Sequence, residues 1–143
     1  MYSFFWVHQH CMSLKVIKSP ILSDVLVSPL RTATRLTELS DEETCYLFVM
    51  AKHVQKMLES IYGIGKVTQF IVEDEGPHAV QAVKYVHVHV LPRMDNDFGN
   101  NLDLAVLQGR EGQGEARSVD EMESEATRYR QWLQKKSDEG WNE

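Results

Sequence analysis

The stretch from Tyr85 to Arg93 reads Tyr-Val-His-Val-His-Val-Leu-Pro-Arg, and its alternation constrains the fold more tightly than any other part of the chain. Side chains in an extended strand point alternately to opposite faces, so Val86, Val88 and Val90 share one face and Tyr85, His87 and His89 share the other. The valine face reads as core. On the opposite face, two imidazoles about 7 Å apart can bind a metal or a phosphate, or one of them can attack an electrophile. The same spacing also fits the polar outer face of an amphipathic strand, and two histidines alone do not choose between these readings.

A chain of 143 residues is long enough to bury an ordinary core as one domain without disulfide or metal staples. Its net charge of -6 argues against a general surface for nucleic-acid polymers, because affinity for a phosphate backbone accumulates through Lys and Arg. A small phosphorylated ligand in a local site is compatible with that charge. Cys11 and Cys45 are too few and too isolated for a disulfide framework or a zinc knuckle, which points to a reducing compartment, cytoplasm or nucleus. The apolar start from Met1 to Val7 is short, lacks a basic lead and runs into His8, Gln9 and His10, so no signal peptide is expected. Nothing approaches the roughly 20 apolar residues of a membrane span, so no membrane partner is expected.

Taken in order, residues 1–20 carry Tyr2, Phe4, Phe5 and Trp6 without a clear period and read as one strand or an irregular arm, with His8 and His10 on its surface. Ile21 to Pro29 has a strand pattern through Val25, Leu26 and Val27. Ser40 with Asp41, Glu42 and Glu43 is a capping box that opens a helix. Its apolar stripe is Leu47, Met50, Val54, Met57, Leu58 and Ile61, its stop is Gly63, and His53 and Lys56 lie off the stripe in solvent. Lys66 to Glu73 alternates as a strand, with Val67, Gln69 and Ile71 on one side and Phe70 and Val72 on the other. Glu73, Asp74 and Glu75, ahead of Gly76-Pro77, read as a solvated turn rather than a metal site, since adjacent carboxylates point in different directions.

Val80 to Leu91 is the antiparallel return strand. Residues 92–118 are polar and Gly-rich, and a loop of that length is functional or disordered. Ser118 and Glu121 form a second capping box, opening a helix with Met122, Ala126, Tyr129 and Leu133 on one side, Trp132 beside them, and an end near Lys136. These elements predict an α+β fold: an antiparallel sheet with a main helix packed on one face and a C-terminal helix. The single domain divides into an N-terminal arm (1–20), a core (21–98), a flexible loop (99–117) and the C-terminal helix and tail (118–143).

The run Val80-Gln81-Ala82-Val83-Lys84-Tyr85-Val86-His87-Val88-His89-Val90-Leu91-Pro92-Arg93, followed by Asp97-Phe98, resembles the histidine triad family. Within it the run is most similar to the fragile histidine triad proteins, which hydrolyse dinucleoside polyphosphates. The resemblance runs from about Val25 to Phe98 and implies the same α+β architecture and a homodimer with one continuous sheet. It places the family's nucleophilic histidine at His87, attacking the α-phosphorus of a substrate such as diadenosine triphosphate. It places His89, Gln81 and the backbone of Val80, Ala82 and Val83 around the phosphate, with Tyr85 and Asp74 at two further substrate-binding positions. No cofactor held by the protein is implied, and any divalent cation comes with the substrate.

Several positions depart from the family's pattern. Tyr85 stands where the first histidine of the triad belongs and cannot become cationic at neutral pH. Val80 and Ala82 replace a Gly and a Ser or Thr, which restricts backbone approach and removes a hydroxyl donor. Asp74 replaces a Gln, and its charge repels a polyphosphate. Leu22-Ser23-Asp24 replaces a Pro-Gly-His, and residues 1–31 hold no Asn to bind ribose, the matching position falling near Val16. Asp24 is a candidate to orient His89 in compensation. Three readings follow: a dinucleoside polyphosphate hydrolase acting through His87, a nucleotide-binding or signalling module with weakened or lost catalysis, and a metalloprotein using His87 and His89, with His78 as an optional third ligand and the count completed only by an acidic neighbour.

Overall fold

The computed structural model describes residues 2–8, 11–16, 25–63, 67–74, 85–93 and 118–141. Strands β1 (Tyr2–His8), β2 (Cys11–Val16) and β3 (Val25–Pro29) come first. Helix α1 (Asp41–Tyr62), strands β4 (Val67–Glu73) and β5 (His87–Arg93), and helix α2 (Val119–Asp138) follow. The five strands form one antiparallel sheet in the order β1-β2-β3-β5-β4. The aromatic-rich N-terminus is therefore a hairpin of two strands rather than one strand or an irregular arm, and β2 pairs with β3.

The valine face of β5 is core as the alternation requires. Val86, Val88 and Val90 are fully buried with Val25 and Val27 of β3, packed against Leu47, Met50, Val54, Met57 and Leu58 of α1. The apolar stripe of α1 thus covers one face of the sheet, and Ala126, Tyr129 and Leu133 of α2 complete the same core. A bond between the hydroxyls of Tyr62 and Tyr129 ties the two helices together.

Both capping boxes form. Ser40 Oγ accepts from Glu43 N at 3.1 Å while Glu43 Oε1 accepts from Ser40 N at 3.0 Å, and Ser118 and Glu121 repeat the exchange. Gly63 ends α1 at φ 64°, the left-handed conformation that favours a residue without Cβ. The second helix runs two residues past Lys136, to Asp138.

His53 departs from expectation. It is 8% exposed and stacks on Trp141, with ring centroids 4.0 Å apart, because the chain beyond α2 turns back through Gly140 and Trp141 onto α1. Position off the apolar stripe predicts solvent only where no later segment returns to cover it. The return strand also differs: regular β5 begins at His87, after Tyr85 and Val86, and residues 80–84 lie outside the described residues. The predicted loop at 99–117 lies outside them as well. No described helix is long and apolar enough to cross a membrane.

Candidate functional site

The register of β5 builds the site. In an antiparallel ladder directly paired residues share a face, and His89 pairs with Leu26 on one side and Ile71 on the other, while His87 pairs with Glu73. The face opposite α1 therefore carries Glu73, His87 and His89 together. None of the three is on a polar outer surface: His87 is 2% exposed, His89 1% and Glu73 7%.

Glu73 bridges the histidines. Its Oε2 lies 3.3 Å from His87 Nε2 and its Oε1 3.5 Å from His89 Nε2. The second contact is within reach but poorly directed, and Oε1 makes no hydrogen bond of acceptable geometry. The rings meet edge to face with centroids 5.0 Å apart. Burial pushes the Glu73 carboxyl up, but the close contacts to His87 and His89 and the charge of those rings outweigh it and hold it down at about 2.

The other edge of His87 is held by the main chain. Its Nδ1 is 2.8 Å from the Tyr85 carbonyl oxygen, a contact in which the ring N–H donates. The amide of the same peptide unit, Val86 N–H, donates to Ala33 O at 2.9 Å. That peptide is thereby fixed at both ends, and His87 Nε2 faces Glu73: it donates while the carboxylate holds it, and it offers a lone pair to another group only when His87 is neutral and the carboxylate has moved off. Such a nitrogen can attack an electrophile, bind a metal or accept a proton.

Asp74 turns away from this face and accepts from Leu36 N at 3.1 Å, joining the end of β4 to the segment that leads into α1. The acidic run is thus not a solvated turn throughout. Glu73 is the last residue of a strand and is buried, Asp74 is half-buried on a backbone donor, and Glu75 lies outside the described residues. The strand alternation carries the missing signal: counting by two from Gln69 and Ile71 lands on Glu73 and keeps it on their face. The Tyr85 side chain is 44% exposed, so its contribution to the buried site is its carbonyl. Val80, Gln81, Ala82, Val83, Asp24 and His78 all lie outside the described residues.

The HIT domain model matches residues 3–96, more than half of the chain, and the match takes in the N-terminal hairpin as well as the two histidines. The chain belongs to the HIT domain family. Among HIT relatives, the nitrilase and fragile histidine triad fusion protein NitFhit of Caenorhabditis elegans is 44% identical over 108 residues, covering 74% of this chain and 24% of the fusion protein. The bis(5'-adenosyl)-triphosphatase of Dictyostelium discoideum is 32% identical over 126 residues, covering 88% of this chain and 82% of that protein. The chain spans about a quarter of the length of the NitFhit proteins that it matches, 24% in Caenorhabditis elegans and 28% in Drosophila melanogaster. The crystal structure of Caenorhabditis elegans NitFhit superposes with a TM-score of 0.71 at 35% identity, over 90% of this chain and 27% of that one. A Plasmodium falciparum diadenosine triphosphate hydrolase in complex with Cyclomarin A superposes at 0.73 and 20% identity, over 93% and 77%, which establishes the shared HIT fold.

Proposed function

We propose that this chain hydrolyses dinucleoside polyphosphates such as diadenosine triphosphate, with His87 as the nucleophile. The observation that carries the reading is the main-chain hold on the buried His87: Nδ1 donates to the Tyr85 carbonyl, which turns Nε2 toward the face it shares with His89 and Glu73. Relatives named bis(5'-adenosyl)-triphosphatase, at 32% and 35% identity, supply the substrate class. Nε2 attacks the α-phosphorus and a P–N bond forms as the P–O bond to the leaving group breaks, releasing ADP. Water then cleaves the P–N bond and releases AMP. Imidazole suits both steps, being a nucleophile at neutral pH and a good leaving group once protonated.

In this reading His89 donates to a phosphate oxygen, and Gln81 with the backbone of Val80, Ala82 and Val83 completes the cradle. Tyr85 takes part through its carbonyl, Asp74 faces Leu36 N and so is not the substrate contact that the resemblance implies, no cofactor resides in the protein for this step, and a divalent cation accompanies the polyphosphate. The homodimer that the family resemblance implies would form through a sheet edge. End strand β4 offers one, with Val67, Phe70 and Val72 partly exposed along it. A reducing compartment, cytoplasm or nucleus, goes with this reading.

Glu73 favours a second reading, a nucleotide-binding module of weakened turnover. Its carboxylate approaches the same two nitrogens that a phosphate needs, and two anions cannot share them. Substrate must displace it before His87 can attack. Product analysis on diadenosine triphosphate separates the readings: AMP and ADP from wild type, and none from His87→Asn, support the hydrolase. Equal products from both proteins would dismiss His87 as nucleophile. No products from a wild type that the nucleotide still protects against heat would establish the binding module.

A further inference from the structure

His87 cannot attack phosphorus from the state in which Glu73 holds it. Its Nδ1 donates to the Tyr85 carbonyl at 2.8 Å, and its Nε2, 3.3 Å from Glu73 Oε2, donates to the carboxylate. A ring that donates from both nitrogens has no lone pair to give. The Nε2 proton must therefore leave before a P–N bond can form. Among the described residues the Tyr85 carbonyl and the Glu73 carboxylate accept from this ring, and the carbonyl sits on the other nitrogen. Glu73 is the base already in contact with the proton that has to move.

The fold keeps that carboxylate within reach after a phosphate displaces it. Glu73 and His87 are direct partners in the β4–β5 ladder, and Asp74, the next residue, is anchored on Leu36 N at 3.1 Å. Incoming phosphate can turn the Glu73 side chain aside but cannot carry its backbone away. Displacement also changes how strongly the carboxylate holds a proton. Burial pushes it up, and the contacts to the two imidazoles hold it down. A phosphate that takes over the imidazoles removes the second influence, leaves the first and adds an anion beside it. Glu73 Oε1, buried without a directed hydrogen bond, marks a carboxylate that the resting site satisfies only in part.

Resting on the hydrolase reading, we propose that Glu73 is the general base that takes the Nε2 proton of His87 as substrate arrives. The same carboxylate that obstructs phosphate in the resting site thereby frees the nucleophile. The Nε2 proton passes to Glu73, the freed lone pair forms the P–N bond, and the P–O bond to the leaving phosphate breaks with its electron pair going to that oxygen. Such a leaving group departs as a stable anion and needs no proton from the site, which suits an anhydride. In the second step water adds oxygen to phosphorus, the P–N electron pair returns to Nε2, and Glu73 gives its proton back to that nitrogen. The proton that water loses leaves with the ionising products.

Steady-state kinetics of the full chain on diadenosine triphosphate separate the two roles of the carboxylate. Glu73→Gln removes the competing charge and the base together, so KM should fall while kcat falls about a hundredfold or more. In Glu73→Ala, added formate should restore kcat toward wild type, because a small carboxylate replaces a lost base and not a lost packing contact. If Glu73→Gln does not fold, judged by helical circular dichroism, Glu73→Ala with and without formate carries the test. With His87→Asn silent, two results overturn the proposal and leave the hydrolase reading standing: an unchanged or raised kcat in Glu73→Gln, or a loss in Glu73→Ala that formate leaves untouched. Equal products from His87→Asn and wild type, or none from wild type, remove the hydrolase reading and the proposal with it.

Discussion

At the scale of single residues, the two histidines were legible in the sequence and their partner was not. Val-His alternation fixes which side chains share a face, but it does not reveal that this face is buried or what stands across from it. That depends on register with β4, a pairing between residues fourteen positions apart, His87 and Glu73. Charge adjacency also misled, since the acidic run looked like one solvated feature when strand geometry sends Glu73 and Asp74 to different partners. If Glu73 competes with phosphate, Glu73→Gln should tighten nucleotide binding about tenfold, measured by calorimetry with a nonhydrolysable dinucleotide. Unchanged or weaker affinity would show that the carboxylate does not compete.

A second residue-level prediction concerns acid. Arg31 grips Glu43 through two contacts, at 2.8 and 3.0 Å, and this bond together with the Ser40 amide pulls the Glu43 carboxyl down to about 2 from its ordinary 4.5. A carboxyl whose folded value is depressed stabilises the fold fully above its unfolded value and loses that contribution as pH falls toward the folded one. Melting temperature should fall between pH 4.5 and 2, and Glu43→Gln should flatten part of that slope.

At the scale of elements, helices were the easiest to read because their signals are local. Each capping box lies within four consecutive residues, and the stripe of α1 repeats at a period that needs no knowledge of the rest of the chain. Ser40→Ala should cost about 1 kcal/mol by chemical denaturation, since Glu43 N loses its acceptor. Leu47→Ala, at a fully buried position facing the sheet, should cost about 2–5 kcal/mol. The hairpin of β1 and β2 was harder, because its aromatics lack the strict alternation of β5 and its pairing is recognised only once β3 lies beside it. His53 was misread for a similar reason, its cover coming from Trp141 at the far end of the chain.

At the scale of the whole molecule, the α+β class follows from element order, while the sheet order β1-β2-β3-β5-β4 does not. It places β5 between β3 and β4, so the histidine-bearing strand is an interior strand with a paired neighbour on each side. Interior pairing holds the imidazoles on rigid backbone, as a site needs. If the exposed apolar residues of β4 mark the dimer edge, light scattering should give twice the chain mass, and Phe70→Lys should return it to a monomer while leaving the melting of the single chain cooperative. The peptide between Tyr85 and Val86, gripped through its N–H by Ala33 and through its C=O by His87, has a consequence for what mutation can reach. Both gripped atoms are main chain, so no side-chain substitution at position 85 deletes the acceptor that sets the His87 tautomer. Position 85 can therefore hold Tyr where the family resemblance expects His, and the acceptor that orients His87 is kept.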